Sequence, residues 1–343
     1  MNQETNLPAS TVASGPRRRV RPLLRAVVAA VVILVLSGLG IMYGQQLVDS
    51  AKASQFRPSQ RITKITERVG MTSRSRDIFY ATAPIIEDRE TFNQSCQSEE
   101  RTAAILGCYF RDTIHLYDID NKKLDGTLEV TAAHELLHAA YQRLNFFERR
   151  RVNTLISSEY AKHKDDTKLK EIMQYYHQTE PGAEINELHS ILGTTVASLS
   201  PELEAYYSRY FKDRLSLVAL NAAYNKVFGD IKAQADEIEA RIKQAEPSIT
   251  KDLSSYEADL KQLELDIENF NQQANTGYFG TRSSFNAARS VLLGRVDALN
   301  LRRDEINARV AAYNKDVETL NALSLQVSEL YKSINGAEAT TGI

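Results

Sequence analysis

Leu299, Ile306, Tyr313, Leu320, Val327 and Ile334 stand seven residues apart without a slip, and no other feature restricts the fold of this chain more. A seven-residue apolar repeat keeps one seam of an α-helix facing a partner helix, the pattern of a coiled coil. Upstream, Ile231, Ala235, Ile238, Ile242, Ala245, Ile249, Leu253, Tyr256, Leu260, Leu263, Ile267 and Phe270 alternate in steps of four and three, with one extra four near Pro247. The stutter and the proline together predict a kink there. Asn271–Ser284, with Gly277 and Gly280, breaks the repeat. Two arms of ~40–50 residues around one break predict an antiparallel helical hairpin on the order of 60–70 Å long. Arg303 and Ser324 in the seam argue against a long parallel dimer. Tyr278 and Phe279 mark the predicted tip, where a protein partner would meet the hairpin. Self-association through the coiled coil and a plain spacer are the alternatives.

The N-terminus carries a different uninterrupted pattern. No charged residue falls between Arg25 and Asp49, and the centre of the run Ala26–Val48, from Ala26 to Tyr43, is apolar on all sides. A helix of that length spans about 35 Å, enough for a hydrocarbon core of about 30 Å. Arg17, Arg18, Arg19, Arg21 and Arg25 precede the run, which orients it with the N-terminus cytoplasmic and the rest of the chain outside. A cleaved signal peptide is the rival, but Ala51-Lys52-Ala53 lies far past the end of the run for a cleavage site. The sequence therefore predicts a single-pass signal anchor over 23–48, in contact with the cell membrane, after a basic cytoplasmic tail over 1–22. A net charge of −2 gives no case for nucleic-acid binding. Cys96 and Cys108 are the two cysteines, both beyond the apolar run. A disulfide closing that short loop would contribute roughly 3 kcal/mol in an oxidising compartment.

Between these two ends, Leu128–Leu144 carries Val130, Ala133, Leu136, Leu137 and Ala140 at helical spacing. Into that apolar helix the sequence places His134, Glu135 and His138, groups that are costly to bury without partners. Positions i and i+4 share a helix face, so both imidazoles point the same way one turn apart, the spacing a single metal ion needs. Glu135 points elsewhere but can reach a water on that metal. This H-E-x-x-H pattern resembles the zincin metallopeptidases. Such a site takes three protein ligands and keeps one position open. Candidates for the third are Glu184, Glu187 and His189. Asn186-Glu187-Leu188-His189-Ser190 resembles N-E-x-x-S, the second signature of the gluzincin branch, in which the Glu ligates zinc. On that resemblance Glu187 is the ligand, with His189 as the alternative. Its distance from His138 exceeds that of thermolysin-like members, so two intervening helices must fold away. No H-x-x-G-x-x-H continuation follows His138, which sets the metzincin branch aside.

The surrounding elements suit that resemblance. Ile78–Thr82 reads as a strand stopped by Pro84, and Ala103–Phe110 with Thr113–Tyr117 as a hairpin turned at Arg111-Asp112. Asp118–Gly126 suggests a calcium loop, but its sixth position, where the sharp turn needs Gly, is Lys123, so it reads as a turn. Helices are predicted over Phe146–Lys162, Asp166–His177, after Pro181-Gly182, and from Pro201. His115, His163 and His177 read as surface or strand residues. Gluzincins commonly use a Tyr or His beyond the Glu ligand to stabilise the oxyanion, and by that analogy Tyr206, Tyr207 or Tyr210 would serve, Tyr207 first among them. Packing of a helix against the core explains the same spacing.

The expectation is an α+β chain, mostly α. It has an N-terminal transmembrane helix, a linker over 49–75, and a zincin-like domain over 76–228 with a small antiparallel sheet and active-site helices. An antiparallel coiled-coil hairpin over 229–335 and a disordered tail over 336–343 follow. The expected function is a membrane-anchored, extracytoplasmic zinc metallopeptidase that cleaves a peptide or protein substrate. Zn2+ would be held by His134, His138 and Glu187, with Glu135 as general base. The alternative is a non-catalytic envelope scaffold whose hairpin is its working part.

Overall fold

The polar stretch after the apolar run is built into the domain rather than linking to it. The computed structural model describes residues 20–96, 106–179 and 181–334. Its first helix, α1 (Val20–Gln55), runs without a break through the apolar run and on to Gln55. Its last turns pack on α3 (Ser73–Ala81), where Ser50 Oγ donates to Asp77 at 2.7 Å. Between them α2 (Gln60–Arg68), capped by Ser59, buries Ile62 and Ile65, and Val69 just beyond it is buried too. The linker expected over 49–75 is thus part of the core. Among the described residues, no helix is long and apolar enough to cross a membrane. The structure therefore does not supply the span expected over 23–48, and the side chains at 23, 24, 34–39, 41 and 42 lie outside those described. Most of the expected tail over 1–22, and all of that over 336–343, also lie outside the described residues.

Ile78–Thr82 is helical, not a strand. Five residues are too few for a period to decide between the two, and Thr72, whose side chain accepts from Ser75 N, starts a helix there. The strand comes next, after Ala83 in a left-handed turn and Pro84. It is β1 (Ile85–Glu87). α4 (Arg89–Ser95) leads to Cys96, which is disulfide-bonded to Cys108. Cys108 belongs to β2 (Gly107–Phe110), and the expected hairpin with β3 (Thr113–Tyr117) is present, with Arg111 and Asp112 both at positive φ. That pair of values gives the tight turn a two-residue hairpin needs. The sheet has the order β1-β3-β2 and is mixed: β2 pairs antiparallel with β3, but β1 pairs parallel with it. The wholly antiparallel sheet expected from sequence followed from placing the first strand one element too early. The Asp118–Gly126 stretch holds one 3-10 turn (Lys122–Leu124), and its Asp118 and Asp125 are bound by Arg61 and Arg68.

The domain core gathers on α5 (Thr127–Gln142), in which Ala132, Ala133, Leu136, Leu137, Ala139 and Ala140 are all buried. α6 (Phe146–Tyr160) starts in a capping box between Asn145 and Glu148. α7 (Thr167–Thr179), α8 (Glu184–Thr195) and α9 (Pro201–Tyr207) complete the domain. Asp213 caps α10 (Arg214–Asn275), which then runs unbroken through Pro247 and past the boundary expected at 229. It returns as α11 (Arg282–Ile334) after a turn shorter than the predicted break. Asp252, Asp259 and Asp266 on α10 pair with Arg309, Arg302 and Arg295 on α11. Partner numbers fall on one arm as they rise on the other, in steps of seven, so the arms are antiparallel in a single register. The open end of the hairpin sits on the domain: Ile231, Leu330 and Ile334 are buried with Leu124.

Candidate metal centre

α5 and α8 pack against each other at Gly193. A Cβ at Gly193 would lie 2.5 Å from Leu137 Cδ1 and 2.8 Å from Tyr207 Cε1, so only glycine permits the approach. Tyr207 is buried and donates from its hydroxyl to the His189 carbonyl at 2.7 Å, tying α9 to α8. This crossing turns the first turn of α8 onto the face of α5 that carries the two imidazoles.

There Glu187 Oε1 stands 3.4 Å from His138 Nε2, and Glu187 Oε2 stands 3.6 Å from His134 Nε2. The two imidazole rings lie edge to face with centroids 4.7 Å apart. One donor atom from each of the three residues lies within 4.8 Å of the others. Charge-assisted N–H···O bonds are shorter, about 2.7–2.9 Å. Donors held at about 2.0–2.2 Å around a tetrahedral ion are about 3.4 Å from one another. The group is therefore close enough to bind a metal ion, and its spacing fits a shared cation better than direct hydrogen bonds. The His134 side chain is 21% exposed, against 10% for His138 and 8% for Glu187, so the centre opens to solvent on the His134 side.

Protonation follows from the same geometry. Burial pushes His138 down to about 4; the charge on Glu187 opposes this and that on His134 adds to it. His138 is thus neutral at pH 7, as a ligand must be. Burial also acts against charge on His134, but the carboxylates of Glu187 and Glu135 outweigh it and leave its pKa raised. Burial acts to raise Glu187, yet the two imidazoles and a hydrogen bond from Tyr176 hold it below the ordinary carboxylate value.

Glu135, one residue on from His134, faces the sheet. A Cβ at Gly107 of β2 would lie 3.0 Å from Glu135 Cγ and 3.2 Å from its Oε1. Glycine there lets the strand rest against the carboxylate, and Cys108 beside it is held by the disulfide.

The alternative ligands are elsewhere. His189, on the opposite side of α8, is fully buried with Nε2 2.9 Å from the Tyr206 hydroxyl. Glu184 binds His177 and the Gly182 N–H, both at 2.8 Å, on the surface. His115 pairs with Glu87, and His163 faces Glu159. Tyr206, Tyr207 and Tyr210 are all buried, and the Tyr207 hydroxyl is engaged with α8. Tyr207 is therefore a packing residue in this structure, because its helix turns the ring into the core rather than toward the imidazoles.

One residue at the centre was missed from sequence. Tyr176, at the end of α7, hydrogen-bonds Glu187. Leu169 and Met173 are buried, and Tyr176 continues their stripe at helical spacing. That stripe was legible; where it would dock was not. No protein family, curated protein or solved structure matches the chain.

Proposed function

We propose that the protein is a zinc-dependent peptidase of the gluzincin kind, attached to a membrane and acting outside the cytoplasm. The observation that carries this reading is the meeting of His134 Nε2, His138 Nε2 and the Glu187 carboxylate at separations suited to one tetrahedral ion. Two imidazoles with one carboxylate and an open side are the donor set of a catalytic zinc. When bound, zinc acidifies a water and polarises a carbonyl oxygen.

The chain's own residues do the rest. His134, His138 and Glu187 hold the ion, and Tyr176 steadies the Glu187 carboxylate. Glu135 takes a proton from the attacking water at its carboxylate and delivers it to the leaving amine nitrogen. β2 is an edge strand lying against Glu135. Among the described residues no strand covers its outer side, which leaves backbone groups for an extended peptide. Membrane attachment rests on the uncharged run over 26–48 and its arginine-rich flank. In α1, the described side chains of Val27, Val28, Val31, Val32 and Ile33 stand exposed, an apolar surface suited to lipid.

Bound metal and peptide cleavage, measured together on the full chain in detergent, test the reading. Glu135→Gln is expected to keep the metal and lose cleavage, and His134→Ala to lose both. A parent protein that holds no divalent metal sinks the proposal and leaves the hairpin scaffold.

A further inference from the structure

Three phenylalanines of the domain stand exposed, on two segments that are joined through Arg143. Phe110, Phe146 and Phe147 are 50%, 73% and 80% exposed; Phe110 follows Tyr109, whose hydroxyl accepts from Arg143 at 3.0 Å, and Phe146 lies three residues past Arg143. Phe110 precedes the β2–β3 turn, whose Asp112 accepts from Arg143 at 2.8 Å. Phe146 and Phe147 open α6, a few residues past Arg143. Arg143 also donates to Asp49 at 2.9 Å. Asp49 is the first charged residue after the uncharged run of α1. Gln45, Gln46 and Asp49 line one crevice with Arg143 and Asn145, so the start of α6 lies beside α1 where that run ends.

Cations accompany the rings. Arg111 lies over Phe110 at 4.9 Å from its centroid. Arg149 is held over Tyr141, and Arg150 and Arg151 are exposed on α6. α1 is fixed at this level by Ser50 to Asp77 and by Lys52 to Asp112, both at 2.7 Å, so it enters the domain as a rigid helix. Exposed rings bordered by guanidiniums, level with the end of an uncharged helix, match one surface chemically: a bilayer with phosphate headgroups. Rings enter the interface while arginines meet the phosphates.

Resting on the membrane attachment proposed above, we infer that Phe110, Phe146 and Phe147 with Arg111, Arg150 and Arg151 form a rim that seats the domain against an anionic bilayer surface. α1 is then a stalk of fixed direction, not a loose tether.

The chain holds no tryptophan, so Phe147→Trp gives the full chain a single fluorescent reporter. In vesicles of phosphatidylcholine and phosphatidylglycerol with brominated acyl chains, this reporter is expected to lose its emission. Val31→Trp in α1 is expected to do the same, while Tyr278→Trp at the hairpin tip stays bright. Quenching of Val31→Trp without Phe147→Trp overturns the rim and spares the anchor. No quenching of Val31→Trp overturns the anchor and the rim with it. Equal quenching of Tyr278→Trp means the whole chain lies on lipid, which also overturns the rim. An arginine near an anionic surface is worth roughly a fivefold preference for it. Adding Arg150→Glu and Arg151→Glu to the Phe147→Trp protein is therefore expected to restore emission. Unchanged quenching overturns the role of the arginines.

Discussion

Glu187 Oε1 lies 3.4 Å from His138 Nε2, although two whole helices, α6 and α7, separate them along the chain. The contact depends on the crossing of α5 and α8, and its partners are set by residues on α7 and α9. Four expectations follow from that arrangement and from the hairpin that leaves it.

Removing the Tyr176 hydroxyl takes a hydrogen bond from the Glu187 carboxylate. Partners that orient a ligand typically carry about 10–100-fold in metal affinity. Tyr176→Phe is expected to weaken zinc binding by about tenfold at the low end, and Glu187→Ala by much more. A competition titration with a coloured chelator reads both. Equal affinity for Tyr176→Phe and the parent excludes the role given to this hydroxyl.

Gly193→Ala places a methyl group where Leu137 and Tyr207 already stand. Overpacking of this kind costs about 1–3 kcal/mol. The variant is expected to melt earlier and to bind zinc more weakly, since α8 must retreat from α5 and take Glu187 with it. Should it melt earlier yet bind zinc as the parent does, the crossing does not control the centre.

His189 is fully buried, and burial, followed by the charges on His138 and His134, pushes it down to about 3. An unfolded histidine titrates near 6.5. Below that value the unfolded chain binds a proton that the folded chain refuses. The stabilisation from neutral His189 is therefore complete above about 6.5 and is lost as pH falls from there toward 3. The slope approaches about 1.4 kcal/mol per pH unit for one such group. Denaturant unfolding of the metal-free protein at pH 7 and pH 5 should show a steeper loss for the parent than for His189→Gln. Parallel slopes count against a neutral buried imidazole.

The Asp–Arg ladder fixes the register of the hairpin more than its stability. Exposed pairs are worth at most about 1 kcal/mol and weaken in salt. Asp259→Arg sets a second cation against Arg302 and should lower the melting temperature at low salt. Adding Arg302→Asp should recover most of the loss. A double variant no better than the singles would remove this pair from the account of register.

Much of this protein was determined by sequence alone. The helix with His134 and His138 on one face, the two-residue turn at Arg111-Asp112, the cysteine pair and the seven-residue seam are local or periodic. Side-chain spacing on a helix or strand carries such features without knowledge of the rest of the fold. Asp252, Asp259 and Asp266 against Arg295, Arg302 and Arg309 carry the same period and were legible in the same way.

What tertiary structure decided is of another kind. Ile78–Thr82 is too short for its period to speak, and the helix it joins is held from outside by Thr72 and Ser75, which donate to the Arg209 and Tyr210 carbonyls. Ile62, Ile65 and Val69 looked like a patch in a linker because nothing nearby in sequence shows the core they enter. Above all, the N-E-x-x-S resemblance favours Glu187 over His189 and Glu184 on paper, but it carries no distance to the imidazoles. Only the approach allowed by Gly193 turns one of them to the imidazoles, leaves another to Tyr206, and brings Tyr176 in from a helix that carried no motif. A metal centre assembled across helices depends on where those helices cross, and a crossing is a property of packed surfaces rather than of any one segment.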